Sequence, residues 1–572
     1  MNAPLIPQIQ NLSSQDSNIP ETRGLNLFDV DAHAAPMLEA YISKPLFDHV
    51  LPHFQELGRL AGGELDEHAF VADVNPPTLS VRARTGNDQA VINKHPAYVE
   101  LEKAAYSRFG LAAMSHVGGA LGWKETLPPA VKYSLSHLFV QAEFGLCCPV
   151  SMTDSLARTL RKYGDPQLVE QVLPQVASMD FDELRQGAMF MTEQAAGSDV
   201  SATETLAREE GDGRWRLYGD KWFCSNPDAG FAMVLARSES AEGLAGVSLF
   251  LLPRDLPDGS HNHYRILRLK DKLGTRSMAS GEIRLEGAYA WLVGERGRGF
   301  QHMADMINNS RLSNGMRAAG LMRRGLTESQ HVARNRRAFG KKLIDMPLMQ
   351  RQLAKILMRA EQGRSIMMQT AQALQNADAG DKNAARLLRI LTPLIKFRAC
   401  RDARQATGDA MEVRGGCGYI EEWVEARLVR DAHLGSIWEG TSNIVALDVM
   451  RAIARNGCLQ PLRAHVDFLL ENGAACPAEL ADLQVECIDK AFRFAEETAS
   501  VRDAPATRQA ATALYNAVTL AALRWEAAQH EGLRSRNQIA DLVLLHRLAP
   551  QDPCLPGKHE VDLPALLEAA WN

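Results

Sequence analysis

With 572 residues the chain is too long for one ordinary core, and three or four units sharing interfaces are expected. Apolar residues make up 46% and charged residues 23%, with a formal net charge of -6 and an isoelectric point near 6.3, so composition offers no global reason to expect a nucleic-acid partner. No apolar run is long enough to cross a bilayer, and the N-terminus lacks the basic, apolar and small-residue order of a secretory signal, so a cytoplasmic protein is expected. Nine cysteines lie scattered without C-x-x-C spacing, which suggests reduced thiols and neither a disulfide framework nor a zinc site.

Residues up to about 35 are polar and proline-interrupted, the pattern of an irregular arm over the surface. From Pro36 to about Met179 the pattern is mostly helical, as over Tyr41 to Leu60, Ala97 to Ser107 and Ser151 to Lys162. Two punctuated stretches interrupt it, Val74-Asn75-Pro76-Pro77 and Cys147-Cys148-Pro149-Val150-Ser151-Met152-Thr153; the prolines of the first forbid helix continuation. Between about Gln186 and Glu295 short β-favouring runs appear: Gly187 to Thr192, Trp215 to Leu217, Met233 to Ala236, Val247 to Leu252 and Ile283 to Leu285. Their spacing predicts a compact antiparallel barrel or sandwich. The helical pattern returns at Phe300 and lasts to the end, with linker-like stretches at Cys458 to Pro461 and Gly473 to Pro477. These shifts divide the chain into units 1–180, 181–295, 296–455 and 456–572.

Ser436-Ile437-Trp438-Glu439-Gly440-Thr441-Ser442-Asn443 places one carboxylate between an indole and a glycine, just before an apolar helical run. Gly440 permits a tight turn, and Thr441 or Ser442 can cap the helix. A carboxylate at such a helix mouth, partly dried by Trp438, suits a general base; it equally suits a surface turn whose acid offsets the helix dipole. Met189-Phe190-Met191-Thr192 is a strand end that runs into a small-residue loop with Gly197 and Ser198. Its N–H and hydroxyl donors fit the edge of a flat heteroaromatic ring or a phosphate, or form an ordinary turn. Phe223 and Ser225 are two positions apart on a strand-like run and share one face, so one can cover a ring while the other bonds its edge. Arg334 to Lys342 is basic and ends a helix at Gly340, a solvated helix end or a neutraliser of pyrophosphate.

Together these stretches resemble the acyl-CoA dehydrogenase family of flavoproteins. The matches are Met-Thr-Glu-x-x-x-Gly-Ser-Asp from Met191, Gly-x-Lys-x-Phe-x-Ser-Asn from Gly219, Arg-x-x-Phe-Gly from Arg336 and Trp-Glu-Gly-Thr-Ser-Asn from Trp438. Lys272 to Ser277 and Arg414 to Tyr419 add two weaker ones. Val74-Asn75-Pro76-Pro77, His95-Pro96-Ala97, the Cys-Pro-x-x-Met-Thr segment from Cys148 and Arg268 to Gly274 are similar to the branch that contains the AidB flavoprotein of the adaptive response to DNA alkylation. The resemblance implies an α+β protein with an N-terminal helical domain, a middle antiparallel β-barrel or sandwich, a C-terminal four-helix bundle and an extra C-terminal helical domain. It also implies FAD and a homotetramer.

Carried over by motif, the resemblance puts Met189, Met191, Thr192, Gly197, Ser198, Phe223, Ser225, Trp438, Gly440, Thr441 and Asn443 around the cofactor. Gly416 would also contact the cofactor, Arg336 and Phe339 would meet the FAD of a neighbouring subunit, and Ser198 and Arg311 would contact the substrate. Glu439 would be the base that takes the α-proton of an acyl-CoA thioester while the β-hydride leaves for flavin N5. A few relatives place the base immediately before the arginine that matches Arg311; Ser310 stands there and cannot be a base at neutral pH. Glu412 and Pro347 replace glutamines common in the family at the adenine end. An electron-transfer flavoprotein is the implied acceptor. The alternatives are an oxidase or monooxygenase that reacts with oxygen, and a DNA-associated flavoprotein. DNA is disfavoured because residues from Arg451 onward hold more Asp and Glu than Lys and Arg.

Overall fold

Thirty-seven residues from Gly299 to Asn335 form a single helix, and most of its circumference is buried. That is possible only for the central member of a bundle. Helices Pro347–Asp378, Lys382–Arg414 and Val424–Gly435 pack around it. Local chemistry sets their starts. Pro347 stands at the first helical position, where its missing N–H costs nothing, and Asp381 caps the next helix by accepting from the N–H groups of Asn383 (2.8 Å) and Ala384 (3.1 Å). The computed structural model describes residues 19–211, 213–552, 554 and 561–571.

The middle of the chain is a closed sheet with its own core of Trp215, Leu217, Val234, Phe250, Ile283 and Leu285. Its order is Gly187–Phe190, Phe231–Arg237, Leu206–Gly211, Arg214–Ser225, Ser280–Val293 and Val247–Pro253. Pairing of Val247–Pro253 back onto Phe231–Arg237 closes the barrel. Tyr264–Leu269 adds to Ser280–Val293. Most pairs are antiparallel as expected, but Gly187–Phe190 runs parallel to Phe231–Arg237, fed by a crossover from the N-terminal helices. A buried ion pair pins the loop end of this strand. Glu193 meets Lys221 at 2.6 Å and accepts from Thr205 Oγ1 at 2.6 Å. Burial pushes the Glu193 carboxyl up, and the Lys221 ammonium with its hydrogen bonds more than reverses this.

Four further expectations need correction. Cys147 to Thr153 does not interrupt the helical pattern but opens the helix Cys147–Tyr163, with Pro149 in the first turn, where an N–H has no intrahelical partner to lose. Thr78–Arg82 pairs with Asp88–Asn93 as a hairpin inside the otherwise helical N-terminal region, the form taken once Pro76 and Pro77 have stopped the helix. The helix that carries Arg334 ends at Asn335; Arg337-Ala338 then pairs with Lys341-Lys342 around a turn in which both Phe339 (φ 51°) and Gly340 (φ 78°) are left-handed. The N-terminal arm does not run over the surface where it is described: Leu27 and Phe28 are buried and Asp31 is sunk among arginines. Its first 18 residues lie outside the described residues.

The extra C-terminal helices dock through buried charge. Arg536 donates to Glu361 and, at 2.8 Å, to Glu526, while Arg364 bridges Glu361 and, at 2.8 Å, Asp31. Ser365 and Tyr41 donate to Glu526 at 2.7 and 2.8 Å. Burial pushes the Glu361 carboxyl up, but Arg364 and Arg536 hold it well below the usual range. Removing one member strands the others, a loss of about 3–5 kcal/mol for a buried pair. Arg536→Met should therefore lower the first thermal transition and expose the tail to limited proteolysis; an unshifted transition would show that apolar contacts alone hold the tail.

Candidate active site

Glu439 sits in a strained turn. Its φ is 55° and that of Gly440 is 99°, so two successive residues are left-handed and only the second is a glycine. Such a residue costs on the order of 1–3 kcal/mol and persists only where its surroundings hold it. Here Arg311 Nε donates to the Glu439 carbonyl at 3.0 Å and Lys396 Nζ donates to the Gly440 carbonyl. Arg311 is itself fixed by Asp448 at 2.8 Å. A Cβ on Gly440 would meet Val445, Ile444 and Arg311 at 3.2–3.4 Å, so glycine suits this position both for its φ and for space. Thr441 occupies the N-cap place of helix Ser442–Asn456 without a side-chain capping bond.

The Glu439 side chain is 6% exposed. Ser310 Oγ donates to its Oε1, the Arg317 guanidinium lies 3.8 Å from the same oxygen, and Oε2 is buried without a hydrogen-bond partner. Ser310, Asn314 and Arg317 follow at i, i+4 and i+7, so one face of the central helix looks onto this carboxylate. Arg317 is fully buried, with its guanidinium 4.6 Å from the Trp438 ring and 5.5 Å from the Phe144 ring. Phe144 stacks on Trp438 at 6.2 Å, and Trp438 Nε1 is a second buried group without a partner. Burial raises the Cys148 thiol, which also lies within electrostatic reach of Arg317, Glu439 and Lys272.

The strand edge carries a second group of the expected residues. Trp222 N–H donates to the Thr192 carbonyl at 2.8 Å, which sets the two flavin motifs side by side. Phe223 is 54% exposed, and half-buried Ser225 lies 3.4 Å from Ser280 through their hydroxyls. Lys272 Nζ donates to the Met278 carbonyl (2.6 Å) and to Ser280 Oγ (3.1 Å), and burial pushes it down to about 8. Met189, Met191 and Thr192 are half-buried, while Gly197 and Ser198 are exposed at the loop. An exposed ring and a hydroxyl two residues on fit a flat heteroaromatic cofactor, and the orphaned Trp438 N–H fits a polar group at its edge.

Not every expected residue gathers here. Arg336 donates to the Arg414 carbonyl at 3.1 Å, next to Gly415 and Gly416, and Phe339 is 97% exposed at its hairpin tip. Ser310 and Asn335 are 25 residues apart on one helix, about 37 Å along its axis. That group therefore forms a separate outward-facing patch. Arg311 spends its donors on Glu439 and Asp448, so what it demonstrably does is hold the turn. Glu412 accepts from Gln352 at 3.2 Å. Sequence reasoning missed Arg317 and Lys396. The only signal was polar residues at core-facing positions of long helices.

Among the described residues no cluster of side chains could hold a metal ion, and no helix is long and apolar enough to cross a membrane. Three family models match the chain: the Adaptive response protein AidB N-terminal domain over residues 18–183, the Acyl-CoA dehydrogenase middle domain over 188–288 and the Acyl-CoA dehydrogenase C-terminal domain over 297–454. The putative acyl-CoA dehydrogenase AidB of Escherichia coli is 34% identical over 411 residues, 70% of this chain and 72% of that protein. Acyl-CoA dehydrogenase family member 11 of Caenorhabditis elegans is 32% identical over 369 residues, 62% of this chain and 60% of that protein. The crystal structure of Caenorhabditis elegans ACDH-11 in complex with C11-CoA superposes with a TM-score of 0.84 at 25% identity, covering 91% of this chain and 92% of that one. The chain belongs to the acyl-CoA dehydrogenase family of FAD-dependent oxidoreductases, on the branch that carries the AidB N-terminal domain.

Proposed function

We propose that Glu439 removes the α-proton of an acyl-CoA thioester in an α,β-dehydrogenation. The observation that carries this reading is the Glu439 carboxylate itself: dried, oriented through Oε1 by Ser310, and with Oε2 free of any hydrogen bond. A base needs one oxygen held and one available. Bound FAD supplies the two-electron acceptor for the β-hydride. Thr192, Ser198, Phe223, Ser225, Trp438, Thr441 and Asn443 would hold it. As the proton leaves, negative charge grows on the thioester oxygen, and a backbone N–H of the strained turn would receive it. Lys396 and Arg311, tied to the carbonyls of the same turn, fix its orientation and add positive potential behind it. The C11-CoA complex of the similar nematode protein supports an acyl-CoA thioester as the substrate class. A homotetramer, in which Arg336 and Phe339 complete a neighbour's cofactor site, and an electron-transfer flavoprotein as acceptor belong to the same reading.

Glu439→Gln should keep its yellow FAD and lose about a thousandfold in the rate of anaerobic bleaching by acyl-CoA, within the span general-base catalysis supplies. Unimpaired bleaching would take the role away from Glu439. Phe223→Ala should raise the FAD dissociation constant about tenfold, the worth of one well-placed aromatic contact, read by fluorescence titration of apoprotein. Burial, with Arg311 and Arg317 nearby, pushes Lys396 down to about 8 against the pull of Cys400 and Glu439. Its ammonium is therefore present below pH 8 and lost above it, and the bleaching rate should decline through that range. Lys396→Arg should remove the decline between about pH 7 and 10, since a guanidinium stays charged there; an identical profile in both proteins would rule the lysine out as its origin.

A further inference from the structure

A second cavity lies where helix Lys382–Arg414 of the bundle meets the tail helices Ala478–Ser500 and Thr507–Gln529. Its volume of about 510 Å³ falls in the range of roughly 300–1,000 Å³ usual for small-ligand sites. Among the described residues five cationic side chains line it (Arg398, Arg401, Lys490, Arg508 and Arg547) and no aspartate or glutamate does. The chain as a whole carries a net charge of -6, and the tail holds more acids than bases. A hollow of one sign in such a setting focuses potential on whatever enters it.

Three of the five cations are partly answered from behind the wall. Arg398 Nε donates to Asp402 at 3.0 Å, Arg547 reaches the same carboxylate at 3.3 Å, and Lys490 pairs with Glu486 on the exposed face of its helix. The other two have only neutral acceptors: Arg401 lies 3.4 Å from Ser442 Oγ, and Arg508 lies 3.5 Å from Asn443 Oδ1. Burial and the guanidinium groups of Arg508, Arg398 and Arg404 push Arg401 below the ordinary arginine range against the weaker pull of Asp402, as expected of cations that outnumber their counter-charges. Half-buried Phe494 adds an aromatic surface to the same wall.

We propose that this cavity binds a nucleoside diphosphate, either free or as the ADP end of a CoA ester. Guanidinium forks match phosphate oxygens in pairs, and several together suit two linked phosphates better than one. An aromatic face beside them suits a base. A concave hollow of this size takes one nucleotide and cannot follow a stretch of duplex backbone. Ser442 and Asn443 open the helix that directly follows the Glu439 turn, so an occupant of this cavity sits next to the segment on which the proposed chemistry relies.

Calorimetry on the FAD-loaded protein tests this with ADP, AMP and adenosine, first at low ionic strength and then in about 0.5 M salt, where exposed charges are screened. ADP should bind more tightly than AMP, adenosine should give no heat, and salt should weaken binding. Arg508→Glu, at an exposed position, and Arg401→Met should each cost about tenfold or more in ADP affinity with the flavin spectrum unchanged. Repeating the titration with saturating acyl-CoA separates the two sources. Competition identifies the ADP end of the thioester, and undiminished ADP binding identifies a free nucleotide. Absent ADP binding, adenosine binding as tight as ADP, unaltered affinity in Arg508→Glu, loss of FAD from either variant, or displacement of ADP only by duplex DNA would each overturn the assignment.

Discussion

The left-handed turn at Glu439 and Gly440 is the constraint on which the rest of the site depends. Nothing in a glutamate favours that conformation, and the cost is met by two cations that grip successive carbonyl oxygens, Arg311 on Glu439 and Lys396 on Gly440. The two come from different helices of the bundle, Gly299–Asn335 and Lys382–Arg414. The position of the carboxylate is thereby referred to the rigid core rather than to its own loop. Ser310 and Arg317, one face of the same central helix, then orient the acid itself.

Burying that much charge needs a fold able to pair it. The helical core holds arginines that are almost fully enclosed, among them Arg317, Arg323, Arg414, Arg524 and Arg536. Most are forked onto carboxylates, as Arg414 is onto Glu328 and Glu425, and Arg536 onto Glu361 and Glu526. Such networks add little net stability over apolar packing, yet they are unforgiving of misalignment. They therefore act as register marks, and the Glu361 group ties the N-terminal segment, the bundle and the tail into one arrangement. Arg323 and Arg317 lack a full set of hydrogen-bond partners; Arg323 still has Asp31 at 3.3 Å, whereas Arg317 has two ring faces and one carboxylate at 3.8 Å. Arg317 stands where the reaction is proposed to occur.

Much of this was legible in the chain. The switch from period-3.6 to β-favouring runs near Gln186 and back near Phe300 brackets the barrel, because a barrel strand and a bundle helix need different apolar spacing. Trp438-Glu439-Gly440 could be singled out because a carboxylate, an indole and a glycine adjacent in sequence stay adjacent in space. The hairpin Thr78–Arg82 with Asp88–Asn93 was less visible, since short exposed strands carry no apolar alternation. The parallel pairing of Gly187–Phe190 with Phe231–Arg237 was hidden for another reason: a strand reads the same whichever way its neighbour runs.

What the residue order determined by itself was local. It marked the helical and β-favouring regions, the stops at Pro76-Pro77 and at Gly440, and the acid that follows Trp438. Only the tertiary structure decided which distant groups face that acid. Arg317, Arg311, Ser310 and Lys396 reach it from long helices whose polar residues look, in one dimension, like any solvated face. It likewise decided that five cations from the bundle and an acidic tail would share one cavity. The physical reason is the same in both cases: electrostatic interaction depends on distance through space, and separation along the chain carries almost no information about it once helices have packed.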